Sequence, residues 1–302
     1  MASSTLPSTL SAVLAALALT VGVAGCGTSD ATPVAAPAPT TTTTVAARPT
    51  DPVDRLVTTE RGRLHLHCAG TGPTTVLLLA GWGAAGDEAW APVLPALSEE
   101  TRACTYDRLG TGTSDPATEV QTFRSQTADL AALLEAAGEP GPYLLVGHSF
   151  GGAQAVTFAA EQADQVTGLV LVDASPTTWP DTVCAVPDDG TPAAGGYQQL
   201  CAVMHDPTQD PERLDVFAAF GEAATVSSLD DLPMTVITAV HRTSPGLDPA
   251  QLARLDAAWS DGTARWAQLS SSSTVVPVDD TSHYIQHDHP DVVLAEVARL
   301  LR

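Results

Sequence analysis

Two residues of this 302-residue chain have the type and placing for nucleophilic chemistry together, Ser149 and His283. Ser149 lies in Gly147-His148-Ser149-Phe150-Gly151-Gly152, at the end of the apolar run Pro142-Tyr143-Leu144-Leu145-Val146. An Ala-rich helical pattern follows at once. The sequence therefore reads as a strand, a sharp turn and a helix, with the serine lifted out of the sheet. The flanking glycines supply the small volume and permissive dihedrals that such a turn needs. A serine hydroxyl is a weak nucleophile, so it needs an adjacent base, and the base needs an orienting carboxylate. His283 is the candidate base. It sits in Asp280-Thr281-Ser282-His283-Tyr284, just after the last expected strand. A loop at the carboxyl edge of a parallel sheet is where ligands and catalytic groups collect. His287 and His289 compete for the role but lie closer to the closing helix. The plainer alternatives are an idle serine on a Gly-rich turn and a surface histidine.

The elements that must position these groups are read from hydrophobic pattern. Arg55 to Glu60 and Arg63 to Ala69 form a hairpin about Arg61-Gly62. Thr74 to Ala80 is a continuous apolar run, as in a strand buried on both faces. Gly81-Trp82-Gly83 follows, then a helical pattern from Asp87 to Leu97. Arg102 to Tyr106 is a strand that runs into Asp107-Arg108-Leu109-Gly110-Thr111-Gly112-Thr113-Ser114. Phe123 to Ala137 is an amphipathic helix stopped by Gly138 and Pro140. After the Ser149 turn come a helix from Gly151 to about Gln165 and a strand from Val166 to Val172, ending at Asp173. From Ala174 to about Asp231 the pattern breaks down, with helical pieces near Tyr197 to Met204 and Pro211 to Ala224. Core alternation resumes in the strand Met234 to Val240, the helix Pro249 to Leu269, the strand Thr274 to Val278 and the helix Pro290 to Leu301. Strands alternating with helices imply a mostly parallel sheet covered on both faces.

The net charge is −22, and all 13 basic residues are Arg. So acidic a surface disfavours nucleic acid and anionic membrane faces as partners. The five cysteines are Cys26, Cys68, Cys104, Cys184 and Cys201. The last four form an even set suited to an oxidising compartment. None has a Cys-x-x-Cys or Cys/His zinc spacing, so no metal site is expected.

Residues Leu10 to Val23 are almost wholly apolar, the length of a signal-peptide core and too short to span a bilayer comfortably. The run ends in Val23-Ala24-Gly25-Cys26, which resembles the lipobox of bacterial lipoproteins, although no Lys or Arg precedes the apolar core. A conventional secretory signal with an incidental Cys26 is the alternative. Residues 26–50, rich in Thr, Ala and Pro, cannot bury a core and read as a tether. The expected organisation is a lipoprotein-type signal over 1–25, this tether, and a globular domain over 51–302 with a lid at about 174–231. The protein is expected to be exported, either held outside the membrane by lipid on Cys26 or secreted.

From about Asp51 onward the chain resembles the α/β-hydrolases. The matching features are the Gly-His-Ser-Phe-Gly-Gly elbow, the glycine turn after the third strand, Tyr106-Asp107-Arg108-Leu109-Gly110-Thr111-Gly112-Thr113-Ser114 after the fourth, and Ser282-His283-Tyr284 near the end. The resemblance implies an α/β fold: an eight-stranded, mostly parallel sheet with helices on both faces and a lid after strand 6. It implies a Ser149-His283 pair and an oxyanion hole made by the N–H of Phe150 and that of Trp82, with Ala80-Gly81 where the family often has His-Gly. The acid is open. Many relatives place it after the strand at Met234, where the first carboxylate is Asp248, which also suits a helix N-cap before Pro249. Others place it after the preceding strand, where Asp173 stands. Asp173 is favoured, Asp248 is the alternative, and Asp279 or Asp280 come next. Asp107 and Arg108 read as structural.

In this fold the second and fourth strands are neighbours, which implies a Cys68–Cys104 disulfide, and Cys184 with Cys201 would tie the lid. The implied activity is hydrolysis of a small acyl substrate, most simply a carboxylic ester, without a cofactor. Ser at the elbow argues against epoxide hydrolysis and dehalogenation, for which relatives use a carboxylate. Amidase, thioesterase, lactonase, peptidase, carbon–carbon hydrolase and perhydrolase chemistry on the same triad stay open, as does a catalytically silent surface binding module.

Overall fold

The computed structural model describes residues 49–240 and 247–302. The expected leader, tether and Cys26 lie outside the described residues, as does the stretch His241 to Pro245. Among the described residues, no helix is long and apolar enough to cross a membrane.

Eight strands form one sheet: β1 (Val53–Thr58), β2 (Arg63–Ala69), β3 (Thr75–Leu79), β4 (Arg102–Tyr106), β5 (Tyr143–His148), β6 (Val166–Val172), β7 (Met234–Ala239) and β8 (Ser273–Val278). Their spatial order is β1-β2-β4-β3-β5-β6-β7-β8. The β1–β2 and β2–β4 pairings are antiparallel, and the rest are parallel. Every residue of β3, β4 and β5 is buried, as the unbroken apolar runs required. Alternate side chains serve opposite faces. Leu77, Leu79, Leu145 and Leu171 pack into one core with Phe123, Phe150, Phe220 and Trp266. Val76, Leu78, Val146 and Val172 pack into a second with Trp90, Ile285, Val293 and Val297.

The helices are α1 (Gly86–Trp90), α2 (Leu94–Glu100), α3 (Phe123–Ala137), α4 (Phe150–Glu161), α5 (Trp179–Cys184), α6 (Pro192–His205), α7 (Val216–Thr225), α8 (Pro249–Ala267), α9 (Ile285–Asp288) and α10 (Pro290–Leu300). Where the pattern implied one helix from Asp87 to Leu97, there are two. The ring of Pro95 would meet the carbonyl four residues back in a continuous helix, and Pro95 instead stands in the first turn of α2. The helix expected to reach Gln165 stops at Glu161, and a 3-10 turn covers Ala163–Gln165. Between β6 and β7 the insertion holds three helices. The sequence pattern missed α5, a six-residue helix too short to display a period. It also started α6 late, because Gly195 and Gly196 weaken the helical signal over a turn that Thr191 caps.

Among the described residues there are two disulfides. Cys68 and Cys104 are register partners across β2 and β4. Cys184 and Cys201 join α5 to α6, 17 residues apart.

Candidate active site

The elbow is a product of close packing. A Cβ on Gly147 would lie 2.4 Å from the Gly151 carbonyl oxygen, and one on Gly151 would lie 2.4 Å from that of Leu79. Only glycine permits β5, β3 and α4 to meet there. Ser149 itself takes φ 55° and ψ −122°, a strained backbone for a side-chain-bearing residue. The Ser149 N–H donates to the Val172 carbonyl at 3.0 Å, which ties the turn to β6.

Three of the expected residues meet at the carboxyl edge of the sheet. The Ser149 Oγ lies 2.9 Å from His283 Nε2. His283 Nδ1 lies 2.7 Å from Asp173 Oδ2. Asp173 is the first residue after β6, is buried, and accepts a further hydrogen bond from the Ala239 N–H at 3.1 Å. With the carboxylate as acceptor, His283 carries its proton on Nδ1, and Nε2 accepts from the serine hydroxyl. The loop after β8 that delivers His283 is held by Asp288, which accepts from the Ser282 N–H at 2.7 Å and the Ser282 hydroxyl at 2.6 Å. Those donors hold the Asp288 carboxyl below the usual carboxylate range. The Trp259 ring meets the His283 ring edge to face at 5.7 Å.

His148 Nε2 donates to the His283 carbonyl at 2.9 Å. Burial first, and the neighbouring His283 second, push the His148 imidazole down to about 3, so it is neutral at ordinary pH.

The other candidates are employed elsewhere. Asp248 caps α8, accepting from the backbone N–H groups of Ala250 and Gln251. His287 Nε2 reaches the Ala89 carbonyl at 3.0 Å, and His289 Nε2 the Asp280 carbonyl at 3.3 Å. Asp279 and Asp280 are exposed.

Trp82 and Phe150 both border the cavity that opens onto Ser149, about 770 Å³ in volume and also lined by His283, Tyr284 and Trp179. Phe150 is the first residue of α4, so its N–H has no acceptor within the helix. A second cavity of about 280 Å³ reaches Ser149 and His283 from beneath the insertion, between Trp179, Tyr197 and Leu200 on one side and Leu252, Leu255 and Trp259 on the other. Both cavities border Ser149, Trp179, Leu200, Ser282 and His283, and the second is mainly apolar.

Sequence reasoning missed several residues here. Ser175 is buried with its Oγ 3.2 Å from the Ser149 Oγ; its place three residues past the end of a central strand was the signal available. Asp210 and Glu212, in the insertion, gave none, because their partners in the turn after β3 are 128 and 129 positions away. Asp210 accepts from Trp82 Nε1 at 3.0 Å, and Glu212 from the Gly83 N–H at 2.7 Å. Burial pushes the Asp210 carboxyl up from the usual carboxylate range, although the Trp82 bond opposes it.

The family model described as alpha/beta hydrolase fold matches residues 74–187, which span β3, the elbow and Asp173. Uncharacterized protein YqjL of Bacillus subtilis (strain 168) is 25% identical over 236 residues, covering 75% of this chain and 83% of that protein. Lipase LipV of Mycobacterium tuberculosis is 41% identical over 111 residues, which are 36% of this chain and 41% of LipV. The match to LipV thus spans less than half of that protein. Among solved structures, that of Est816, described as an N-acyl homoserine lactone degrading enzyme, superposes with a TM-score of 0.60 at 15% identity, covering 81% of this chain and 99% of that one. With that sheet, that strand order and a family match that includes the elbow, this chain has the α/β-hydrolase fold.

Proposed function

We propose that the protein is a serine hydrolase that cleaves carboxylic esters through an acyl-enzyme. The observation that carries this reading is the hydrogen-bonded line from Ser149 Oγ through His283 to the buried Asp173. Ser149 Oγ attacks the ester carbonyl carbon while His283 Nε2 takes the hydroxyl proton. Asp173 keeps the imidazole in the required tautomer and steadies the imidazolium. The carbonyl oxygen becomes an oxyanion that the Trp82 and Phe150 N–H groups receive. The tetrahedral species collapses, the carbon–oxygen bond to the alcohol breaks, and His283 returns the proton to the leaving oxygen. Water then repeats the cycle on the acyl-Ser149 ester, releasing a carboxylic acid. The lipase name of LipV, over the part of that protein that matches, supports hydrolase chemistry in general. Esters suit the site because their alkoxide leaving group needs no help beyond His283. The leaving alcohol and the acyl chain would divide between the two cavities.

The same reading includes export, with lipid on Cys26 holding the protein at the outer face of a membrane. Its support is the Val23-Ala24-Gly25-Cys26 sequence and two disulfides that suit an oxidising compartment.

One labelling experiment addresses both parts. A fluorophosphonate probe should label the wild type and not Ser149→Ala, and Ser149→Ala should lose at least ~10³-fold of its turnover of p-nitrophenyl esters of graded acyl length. An unlabelled, inactive wild type would leave a binding module as the better account. On fractionation, the labelled wild type should sediment with membranes, and labelled Cys26→Ser should not. Equal sedimentation of the two would exclude the lipid anchor.

A further inference from the structure

We infer that Arg108 and Glu212 are positioning residues for the oxyanion hole, and that the insertion supplies half of this device. The inference rests on the assignment of the Trp82 N–H as an oxyanion donor in the proposed hydrolase.

The Gly81 carbonyl and the Trp82 N–H belong to the same planar trans peptide, so they point in opposite directions. Whatever fixes the carbonyl therefore aims the N–H. Arg108 Nη2 donates to the Gly81 carbonyl at 2.7 Å, and Nη1 donates to the preceding carbonyl, that of Ala80, at 2.8 Å. The planar guanidinium thus holds two successive peptide units in one orientation, which a flexible ammonium cannot do. On the far side of Trp82, the next peptide is held through its own N–H, which Gly83 donates to Glu212 Oε1 at 2.7 Å. The turn lies against the nucleophile: a Cβ on Gly81 would be 3.6 Å from the Ser149 Cβ.

The clamp is itself clamped. Arg108 Nε and Nη2 pair with Glu212 Oε2 and Oε1 at 2.6 and 3.0 Å. Arg108 and Glu212 are 2% and 0% exposed, so neither charge has water as a substitute partner. Gln126 Nε2 donates to Glu212 Oε2 at 3.3 Å, and Gln121 Nε2 donates to the Glu212 carbonyl. The insertion makes a further contact with the turn through Asp210, which takes the Trp82 indole N–H. Directed side-chain bonds thus hold three consecutive peptides. They suit a donor that must be aimed before the oxyanion forms, since an oxyanion hole acts through preorganised dipoles.

Two variants separate aiming from folding. Arg108→Lys keeps the charge opposite Glu212 but loses the fork across the Ala80 and Gly81 carbonyls. The double variant Arg108→Met with Glu212→Leu removes both charges together, so no lone charge is left buried. Each is assayed for kcat and KM on a p-nitrophenyl ester, for Ki of a trifluoromethyl ketone and for thermal unfolding. The ketone adds to Ser149 and places an oxyanion in the hole, so its affinity follows transition-state binding. For both variants kcat should fall by about 10- to 100-fold and KM should stay within about threefold. The ketone Ki should rise by the factor that kcat/KM loses. A folded Arg108→Lys with kcat within twofold of wild type would overturn the inference, and so would a loss of kcat with the ketone Ki unchanged. If the double variant fails to fold, Arg108→Lys decides alone. Failure of the hydrolase reading would show separately, as a wild type that takes no fluorophosphonate.

Discussion

Asp173 and Asp248 are both carboxylates at the end of an element, and the fold uses them in opposite ways. Asp173 gives one oxygen to the Ala239 N–H and the other to His283. Replacing it with Asn keeps the shape and offers the wrong partner to Nδ1–H. Asp173→Asn should lower kcat by about 10³- to 10⁴-fold with little change in the thermal midpoint. Asp248→Ala should leave kcat as it is and cost about 1 kcal/mol of stability through the lost cap. Exchanged outcomes would reverse the two assignments. Ser149 and His283 were legible because each lies in a short local pattern. The acid was not, since its identity depends on which strand end stands beside the His283 loop. That is a fact of register between β6, β7 and β8, and both candidates have an equally plausible local role. Arg108 was read as purely structural, and nothing near it in sequence points to the Gly81 carbonyl or to Glu212.

The strands at the centre of the sheet could be placed from sequence almost to the residue, because burial on both faces leaves an unbroken apolar run bounded by turn residues. The insertion could not. α5 is six residues long, and α6 carries Gly195 and Gly196, so little period reaches the sequence. Both α5 and α6 nonetheless line the smaller cavity. Their disulfide closes a loop of 17 residues, for which the chain-entropy estimate is about 3 kcal/mol. A Cys184→Ser, Cys201→Ser double variant should lose about that much stability, retain kcat on short esters, and show a KM raised severalfold on acyl chains long enough to enter the smaller cavity. An unchanged KM across the acyl series would mean that the disulfide has no part in shaping that cavity.

Stability of the whole molecule should respond to pH through a residue that takes no direct part in the proposed chemistry. His148 is buried and neutral, with its imidazole at about 3 against an ordinary 6.5. Above 6.5 neither the folded nor the unfolded chain protonates it, and its contribution is fully present. As pH falls from 6.5 toward 3, the unfolded chain takes up a proton that the folded chain refuses, and stability is lost at up to about 1.4 kcal/mol per pH unit. Urea unfolding between pH 7 and pH 4 should therefore show a steeper decline for the wild type than for His148→Asn. Parallel curves would assign the decline to other groups.

The insertion between β6 and β7 joins adjacent strands, so its length alone places little demand on the sheet. A segment of that kind would ordinarily be free to be exchanged, as a graft between relatives with different substrates. Here Asp210 and Glu212 remove that freedom, since they reach across to the turn after β3 and to Arg108. A chimera that imports another cap without two carboxylates at these places would carry a new cavity over a misaligned turn. Exchange of substrate range in this protein thus has a fixed anchor point, and variation is open mainly in α5 and α6.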